Sequence, residues 1–252
     1  MINLGKKLKI YYMNYKNDLY SKYVSSQTAE IYGELKLDDI KKQFSAWNSY
    51  FGKFLPENKD CKIIDLGCGS GGFVYWLKES GFKNIEGVDI SKEQIELGFS
   101  LGIKNIIQGD IKSFLENKKN EYDVIFCRDV FEHFTKNELL EITRLIYESL
   151  KHGGLLIIQT VNAENLFWGR LRHGDFTHEL AFTKESINQI LKFIGFNKIE
   201  IFGQNPVAHG LKSLVRAISW KIFNLIFKLY ILAETGSSKG IFSQNIIVVA
   251  KK

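Results

Sequence analysis

The stretch Ile63-Ile64-Asp65-Leu66-Gly67-Cys68-Gly69-Ser70-Gly71-Gly72 decides the fold, because an apolar run opens there into a glycine-rich loop. Glycine adopts positive φ at little cost and lets the backbone approach a ligand closely. An amphipathic segment follows, and the first turn of a helix offers N–H groups without backbone partners. The stretch therefore predicts a strand, a tight turn and a helix, with a ligand held at the turn.

The spacing of these glycines also matches a dinucleotide fingerprint. Gly67, Gly69 and Gly72 satisfy the pattern G-x-G-x-x-G, and Asp89 follows Gly67 at about the distance expected of a ribose-binding acid. An NAD-dependent oxidoreductase therefore remains open on this pattern alone.

Short β-branched runs alternate with amphipathic runs beyond the loop, which is typical of βαβ units on a parallel sheet. The predicted strands are 62–66, 85–89, 103–108, 124–127, 155–160, 198–202 and 245–250, and the predicted helices are 72–80, 92–100, 135–150 and 183–194. We expect a single domain over residues 1–252. Its parts are an N-terminal helical cap on the open edge of the sheet (1–56), a cofactor-binding core (57–203), a helical insertion (204–240) and the last strand (241–252).

Composition narrows the class of protein. The chain has 252 residues, 45% hydrophobic and 25% charged, with a net charge of +6, so a globular domain is expected rather than a disordered chain. Its cysteines, Cys61, Cys68 and Cys127, fit neither a disulfide framework nor a zinc site. With no secretory or membrane-spanning pattern, we expect a reduced, cytoplasmic protein.

Acidic residues follow three of the predicted strands: Asp89, Asp110 and Asp129. Ligands of open α/β sheets bind beyond the carboxyl ends of the strands, where these residues and the glycine loop meet. One carboxylate suits a ribose diol and another an exocyclic amine. The set predicts an adenosine ligand without phosphates, although an acid at a strand end also suits a helix cap.

Four ordered motifs resemble those of the class I S-adenosylmethionine-dependent methyltransferases. They are Asp65-Leu66-Gly67-Cys68-Gly69-Ser70-Gly71, Gly87-Val88-Asp89-Ile90-Ser91, Gly109-Asp110-Ile111 and Leu150-Lys151-His152-Gly153-Gly154-Leu155-Leu156-Ile157. The resemblance implies a Rossmann-like α/β fold, with a mostly parallel seven-stranded sheet and helices on both faces. It also implies S-adenosylmethionine as cofactor and S-adenosylhomocysteine as product.

The same resemblance assigns roles at the cofactor. Gly67 and Gly69 would pass close to the methionine part, Asp89 would hold the ribose hydroxyls, and Asp65 would position the loop and the ammonium. Asp110 would contact the adenine, with Ile90 and Ile111 flanking the ring. The remaining residues expected there are Cys68, Gly109, Cys127 and Asp129. Cys68 and Cys127 also suit small buried positions.

Two histidines are candidate catalytic residues. A hydroxyl acceptor is a poor nucleophile until it loses its proton, and His is the side chain best suited to accept that proton at neutral pH. His133 follows the fourth strand, beside the expected sulfonium, and His178 would support or replace it. His133 also suits a hydrogen-bonded position at a helix start.

Polar residues crowd the segment 162–183, after the fifth strand, where loops usually carry function. Glu132-His133-Phe134, Asp175-Phe176-Thr177-His178-Glu179 and Tyr23-Val24-Ser25-Ser26 are similar to a methyltransferase subgroup of bacterial capsule, O-antigen and sugar-modifying pathways. This resemblance implies O-methylation of a sugar, a nucleotide-linked sugar or a phosphorylated metabolite.

The expected substrate-binding residues are Tyr23, Arg170, Arg172, Asp175 and His178. The two arginines would pair with a phosphate or carboxylate of an anionic acceptor, or else form surface salt bridges. A divalent site of His133, Asp175, His178 and Glu179 is chemically feasible, but no tight ligand spacing supports it. We expect no metal.

Residues 211–232 project as an amphipathic helix with basic flanks. Packing as a substrate lid or homodimer surface is the favoured interpretation, and contact with a membrane surface is the alternative. The favoured function is a methyltransferase for a small molecule, without a nucleic-acid partner. Alternatives are an oxidoreductase, a silent binding module, and a methyltransferase acting on nucleic acid or on a quinone-like or lipid-like acceptor.

Overall fold

The computed structural model describes residues 15–28 and 35–252, and within these ranges seven strands form one sheet. The strands are β1 (Lys62–Leu66), β2 (Asn84–Asp89), β3 (Ile106–Gln108), β4 (Tyr122–Arg128), β5 (Leu150–Val161), β6 (Asn197–Gly203) and β7 (Asn245–Lys251). Their order is β3-β2-β1-β4-β5-β7-β6, and β7 runs antiparallel to both neighbours. The predicted mostly parallel, seven-stranded sheet is confirmed.

The helices lie on both faces of this sheet and over its carboxyl edge. They are α1 (Tyr15–Ser21), α2 (Leu37–Phe51), α3 (Gly72–Glu79), α4 (Lys92–Ser100), α5 (Ile111–Leu115), α6 (Lys136–Ser149), α7 (Trp168–Arg172), α8 (Lys184–Ile194) and α9 (Leu211–Thr235). Thr135 and Glu138 form the capping box that begins α6, and Gly195, in the left-handed region, ends α8.

Several elements differ from the sequence-based expectation, and the largest shift is in β5, which begins at Leu150 rather than at residue 155. The helices α5 and α7 were not predicted, because five residues are too short to establish a helical period. The third strand begins at Ile106 rather than at residue 103, since Asn105 has a φ of 64° and interrupts the extended backbone.

Each face of the sheet carries its own apolar core. On one face α6 and α8 cover the buried strand residues, and on the other the rings of Trp47, Phe51 and Phe73 pack around Phe126 of β4. The sequence had suggested that the N-terminal cap lies on the open edge of the sheet. The helix α2 of this cap lies instead on a face of the sheet. The aromatic side chains of α2 explain the difference. They bury a large apolar area, and the central strands of the sheet offer a larger apolar surface to pack against than an edge strand does.

The described N-terminal segment, residues 15–28, runs over the carboxyl edge of the sheet. The Glu93 carboxylate accepts hydrogen bonds from the backbone N–H groups of Val24 and Ser25 at 2.8 and 3.0 Å. At the other end of the segment, Lys16 pairs with Glu138 at 2.9 Å and the Tyr15 hydroxyl donates to Glu179. The segment thus bridges α4, the start of α6 and the loop before α8.

The insertion is dominated by α9, a single helix of 25 residues. The predicted amphipathic helix over 211–232 is confirmed and extends to Thr235. Among the described residues, no helix combines the length and hydropathy needed to cross a bilayer.

The packing of the glycine loop yields a prediction for stability. Gly71 has a φ of 80°, and a Cβ added there would lie 2.8 Å from Ile106 Cγ2, whereas Gly102 has a φ of 77° and open space around it. Both Ala substitutions place a side chain on a backbone with positive φ, which strains either position. Only Gly71→Ala also adds an atom where the core has no room for it. We expect Gly71→Ala to lower the free energy of unfolding by about 1–3 kcal/mol more than Gly102→Ala does. Urea unfolding of the two variants measures this difference, and equal losses would contradict it.

Candidate functional site

A cleft opens at the carboxyl edge of the sheet, between the strand ends and the N-terminal segment. Its open volume, which includes space continuous with solvent, is about 790 Å³. It is lined by the following residues: Tyr20, Tyr23, Gly67, Gly69, Asp89, Ile90, Ser91, Gln94, Asp110, Ile111, Asp129, Val130, His133 and Phe134. Sequence-predicted residues from four strand ends and from the N-terminal cap therefore meet in one place.

The glycine loop is fixed by its backbone. The N–H groups of Gly67 and Cys68 both donate to the carbonyl of Val88, at 2.8 and 3.0 Å, which ties the end of β1 to β2. Gly67 has a φ of 72°, and a Cβ there would lie 2.3 Å from Val130 Cγ2. No larger residue fits this turn, so the backbone itself forms the floor of the cleft.

Asp89 lies at the end of β2 and joins two loops. One carboxylate oxygen accepts the N–H of Gly69 and the other accepts the N–H of Ser91, both at 2.8 Å. Burial raises the pKa of Asp89, while these two hydrogen bonds lower it. Each oxygen has a second lone pair, so the carboxylate can also accept hydrogen bonds from a diol.

Asp110 combines the two roles considered for it. One of its oxygens caps α5 by accepting the Ser113 N–H at 3.0 Å, and the residue also lines the cleft. Ile90 and Ile111 lie along the same wall. The arrangement suits a flat ring between apolar side chains with a carboxylate at its edge.

A second cavity, which shares Gly67 and Gly69 with the first, contains two buried polar atoms of opposite character. Among the described residues, Asp65 Oδ1 and Arg128 Nε lack hydrogen-bond partners. Both residues line this cavity together with Gly67 and Gly69. Burial raises the pKa of Asp65 to about 7, and the nearby Arg128 opposes that shift. A buried acceptor beside a buried cation is suited to a zwitterion, which supplies both missing partners.

Arg128 is held by stacking. Its guanidinium lies 4.1 Å from the ring centroid of Phe73 and 5.2 Å from that of Trp47. Cation–π contact of this kind compensates for part of the cost of removing the charge from water. The aromatic side chains of α2 and α3 thus present the guanidinium to the cavity.

Besides Asp65, three of the predicted cofactor-binding residues do not line the first cleft. Cys68 is buried and lines the second cavity, and Gly109 donates its N–H to the Asp89 carbonyl at 2.9 Å without lining either space. Cys127 differs from the prediction, since its side chain is 1% exposed in the core between β4 and α6. Alternation along β4 directs this side chain into the core and away from the edge.

Asp129 has a backbone conformation that is unusual for its residue type. Its φ is 53°, and Gln159 Nε2 donates to its Oδ2 at 2.6 Å. Asn245 at the start of β7 donates to Oδ1 at 3.4 Å. These contacts hold Asp129 at the rim of the cleft, where strained residues commonly serve function.

His133 belongs to a buried hydrogen-bonded chain. Its Nδ1 lies 2.9 Å from the Thr177 hydroxyl, and that hydroxyl donates to Asp175 Oδ1 at 2.6 Å. Because the only hydroxyl proton points to the carboxylate, Thr177 Oγ1 must accept from His133 Nδ1–H. The neutral ring therefore carries its lone pair on Nε2.

The surroundings keep His133 neutral. Burial is the main cause that lowers its pKa to about 4, and the nearby His178 lowers it further. The two rings meet edge to face at 4.7 Å. His178 does not line the cleft, and its Nδ1 lies 3.0 Å from the Leu171 carbonyl, so it supports His133 rather than replacing it.

Tyr23 and Asp175 lie together as expected for neighbouring site residues. The Tyr23 hydroxyl donates to Asp175 Oδ2 at 2.8 Å, and Tyr23 lines the cleft while Asp175 is buried behind it. Burial raises the pKa of Tyr23 and of Tyr20, which keeps both phenols protonated.

One group of side chains has the composition of a metal site. His133, Asp175 and His178 each place one potential ligand atom within 4.8 Å of the others. However, both oxygens of Asp175 already accept hydrogen bonds, from Thr177 and from Tyr23. We assign the group to the hydrogen-bonded chain, and a metal-free site stays a prediction.

Arg170 and Arg172 differ from the prediction of an anion clamp, because neither lines the cleft. Both lie on the short helix α7. Arg172 donates to the Glu179 carbonyl at 2.8 Å, which joins α7 to the loop that follows it. Arg170 is exposed to solvent.

Sequence reasoning missed Arg128, Thr177 and Tyr20 as site residues. Arg128 lies next to the predicted residue Asp129, and Thr177 lies between the predicted residues Asp175 and His178, so their position beside predicted residues was the available signal. Nothing local marks Tyr20, whose place depends on how the N-terminal segment crosses the sheet.

A family model described as a methyltransferase domain matches residues 34–201, which hold the glycine loop, the strand-end acids and His133. The chain belongs to the methyltransferase domain family.

Known methyltransferases are similar in sequence and in fold. Arsenite methyltransferase of Rattus norvegicus is 26% identical over 212 residues, which are 73% of this chain and 55% of that protein. Ubiquinone biosynthesis O-methyltransferase of Rickettsia bellii is 31% identical over 106 residues, 41% of this chain and 43% of that protein. The chain spans about half the length of the curated relatives it matches. A SAM-dependent methyltransferase structure from Archaeoglobus fulgidus has a TM-score of 0.62 at 23% identity, covering 83% of this chain and 94% of that one.

S-adenosylmethionine is the cofactor of this methyltransferase domain, and the residues present fit it. The paired orphan atoms of Asp65 and Arg128 match the ammonium and carboxylate of an amino acid. The residues that line the two cavities can all be explained without the pyrophosphate of a dinucleotide and without the second nucleotide-binding half that NAD-dependent enzymes have. The oxidoreductase alternative is therefore set aside.

The second cavity yields a prediction for cofactor affinity. Arg128→Lys keeps a positive charge but loses the planar fork, so we expect the Kd for S-adenosylhomocysteine to rise about tenfold. The Kd for 5′-methylthioadenosine, which lacks the amino-acid part, should stay unchanged. Calorimetry with both ligands measures this. An equal loss for the two ligands would mean that Arg128 supports only the fold.

Proposed function

We propose that this protein transfers the methyl group of S-adenosylmethionine to a hydroxyl oxygen of a small molecule. The observation that carries the proposal is the buried chain Asp175–Thr177–His133, which ends at the wall of the cofactor cleft. When bound, S-adenosylmethionine supplies an electrophilic methyl group on a sulfonium sulfur. The chain's own residues must then position the acceptor and remove its proton.

His133 is suited to act as the general base. The lone pair on Nε2 accepts the hydroxyl proton, while Nδ1–H remains hydrogen-bonded to Thr177. Deprotonated by His133, the acceptor oxygen would be the nucleophile for the methyl group that bound S-adenosylmethionine would supply, with S-adenosylhomocysteine as the leaving group. The imidazolium formed on His133 is stabilised through Thr177 by the Asp175 carboxylate, and it later returns its proton to water.

A groove between α9 and the start of β7 is the proposed acceptor site. Its wall includes the aromatic side chains of Tyr50, Trp220 and Phe223 and the cation of Arg216. Amide side chains complete it, among them that of Asn245, which also donates to Asp129 at the rim of the cofactor cleft. Aromatic faces, amides and one cation together suit a hydroxylated ring that carries a negative charge.

The proposed acceptor class is supported by the polarity of that groove and by the resemblance noted in the sequence. A sugar, a nucleotide-linked sugar or a phosphorylated metabolite of bacterial surface polysaccharide synthesis carries the hydroxyls and the charge that the groove favours. Arg216 takes the anion-binding role that Arg170 and Arg172 do not fill. The named relatives act on other acceptors, so the acceptor is a property to be tested on this chain.

The first test of catalysis replaces His133 by Gln, which keeps the size and polarity of the side chain. S-adenosylhomocysteine formation is measured with pooled sugars, sugar nucleotides and phosphorylated metabolites as acceptors. We expect a loss of kcat of about 10²–10⁴-fold with an unchanged Kd for S-adenosylhomocysteine. Wild-type activity should persist in the presence of a chelator. Full turnover by His133→Gln would refute the base, and no acceptor-dependent product from the wild type would refute the proposed function.

The pH dependence provides a second test of His133. The base works only when neutral, and its pKa is lowered to about 4, so it stays neutral at every pH well above that value. We therefore expect kcat/KM to be flat from about pH 6 to 8, where a histidine with a pKa of about 6.5 would still titrate. Histidine NMR titration, assigned with His133→Gln, measures the pKa directly. A His133 pKa near 6.5 would contradict the structure.

Thr177 is a positioning residue, and a matched pair of variants tests it. Thr177→Val removes the hydroxyl that fixes the tautomer of His133, while Thr177→Ser retains it. We expect the Val variant to lose about 10–100-fold in kcat at unchanged KM for S-adenosylmethionine, with most activity kept by the Ser variant. Equal losses in the two variants would indicate a packing role alone.

A further inference from the structure

The helix α9 exposes a long apolar face to solvent. Nine side chains on this face are each between 43% and 79% exposed: Leu211, Leu214, Val215, Ile218, Ile222, Leu225, Ile226, Leu229 and Leu232. At about 100° per residue they fall within one third of the helix circumference, along a helix about 37 Å long. A continuous apolar patch of this size on a domain surface marks an interaction site.

The opposite side of α9 is the side that docks on the parent domain. Ser213 is buried there, Trp220 Nε1 donates to Asn205 Oδ1 at 2.8 Å, and the ring of Phe227 lies 5.9 Å from that of Phe242. The helix is thus fixed by one side while its apolar face points outward. The outward apolar face therefore covers no groove of the parent domain, whereas other residues of α9 line the proposed acceptor groove.

Basic side chains border the apolar face on both sides. In the helical projection Lys212 and Arg216 lie beyond one edge and Lys221 and Lys228 beyond the other, whereas Glu234 in the last turn is the single acid of the helix. Long basic side chains at such edges can lie along an apolar surface while their charges reach anionic groups. The face and its borders match an anionic lipid surface in both polarity and charge.

The same charges disfavour a second copy of the chain as the occupant. A two-fold contact through this face would bring basic border against basic border, and α9 offers no row of acids to pair with them. Helices that dimerise through an apolar stripe usually carry complementary charges along its edges. The homodimer expected from the sequence pattern is therefore the weaker alternative.

We propose that α9 is an interfacial helix that lies in the plane of an anionic membrane surface, with its apolar face inserted among the lipid headgroups and upper acyl chains. Binding combines burial of the apolar face with attraction of Lys212, Lys221 and Lys228 to anionic lipid. This proposal does not depend on which acceptor is methylated.

Co-flotation of the full-length protein with vesicles tests the proposal. The probes are phosphatidylcholine vesicles with and without phosphatidylglycerol. We expect binding to the anionic vesicles, weakened by raised salt, and far less to the neutral ones. Absence of binding to both, or equal binding to both, would overturn the proposal.

Two sets of variants separate the apolar face from its charges. Ile218→Glu with Ile222→Glu places charges at the centre of the exposed face and should abolish flotation. Gln189→Glu with Ser238→Glu makes a similar charge change at exposed positions outside that face and should retain it. Lys212→Gln and Lys221→Gln should each weaken binding to anionic vesicles about fivefold. Circular dichroism and S-adenosylhomocysteine affinity confirm that the variants remain folded.

A second copy of the chain bound to the apolar face would give a different set of results. Analytical ultracentrifugation without lipid should give a monomer whose mass is independent of the Ile218→Glu and Ile222→Glu changes. A concentration-dependent dimer that these changes dissociate, together with failure to float, would assign the face to a second copy. Loss of flotation in the control pair as large as in the apolar-face pair would likewise overturn the proposal.

Discussion

The Asp89 carboxylate joins the parts of the molecule on which the cofactor site depends. By accepting the N–H groups of Gly69 and Ser91 it connects the glycine loop after β1 to the first turn of α4. Ser91 in turn caps α4, and Glu93 in that first turn anchors the N-terminal segment. One half-buried acid therefore sets the position of the loop, of the helix and indirectly of the cleft's cover. The cost of burying it is offset by hydrogen bonds that it makes before any ligand arrives.

Two further acids, Glu132 and Asp65, are buried near the carboxyl edge of the sheet. Burial raises the pKa of Glu132 to about 8, and Thr160 donates to it at 2.8 Å. A carboxyl whose pKa is raised on folding stabilises the fold fully below its unfolded value of about 4.5 and loses that contribution as the pH rises through 8. Together with Asp65, it makes the site less stable toward alkaline pH. Of the two, Asp65 lines the second cavity, so that part of this cost is tied to the ligand site.

The sequence allowed most of the fold to be predicted, because the signals for its elements are local. The glycine loop, the capping box at Thr135 and the apolar period of α9 each depend on residues a few positions apart. Asp89 and His133 were found because a strand end fixes where they must lie. Arg170 and Arg172 were misplaced because the direction of a loop side chain depends on contacts such as the Glu179 carbonyl, for which the sequence has no local signal.

The segment that covers the cleft is fastened by polar contacts. Residues 15–28 are held at both ends by carboxylates, those of Glu93, Glu138 and Glu179, and Tyr20 and Tyr23 form the wall that these contacts press over the cleft. These contacts are polar and few, and among the described residues no apolar core fastens the segment in the way that the helices are fastened to the sheet. The cover of the cleft is therefore held by the kind of interaction whose strength changes with salt and pH, unlike the floor that it covers.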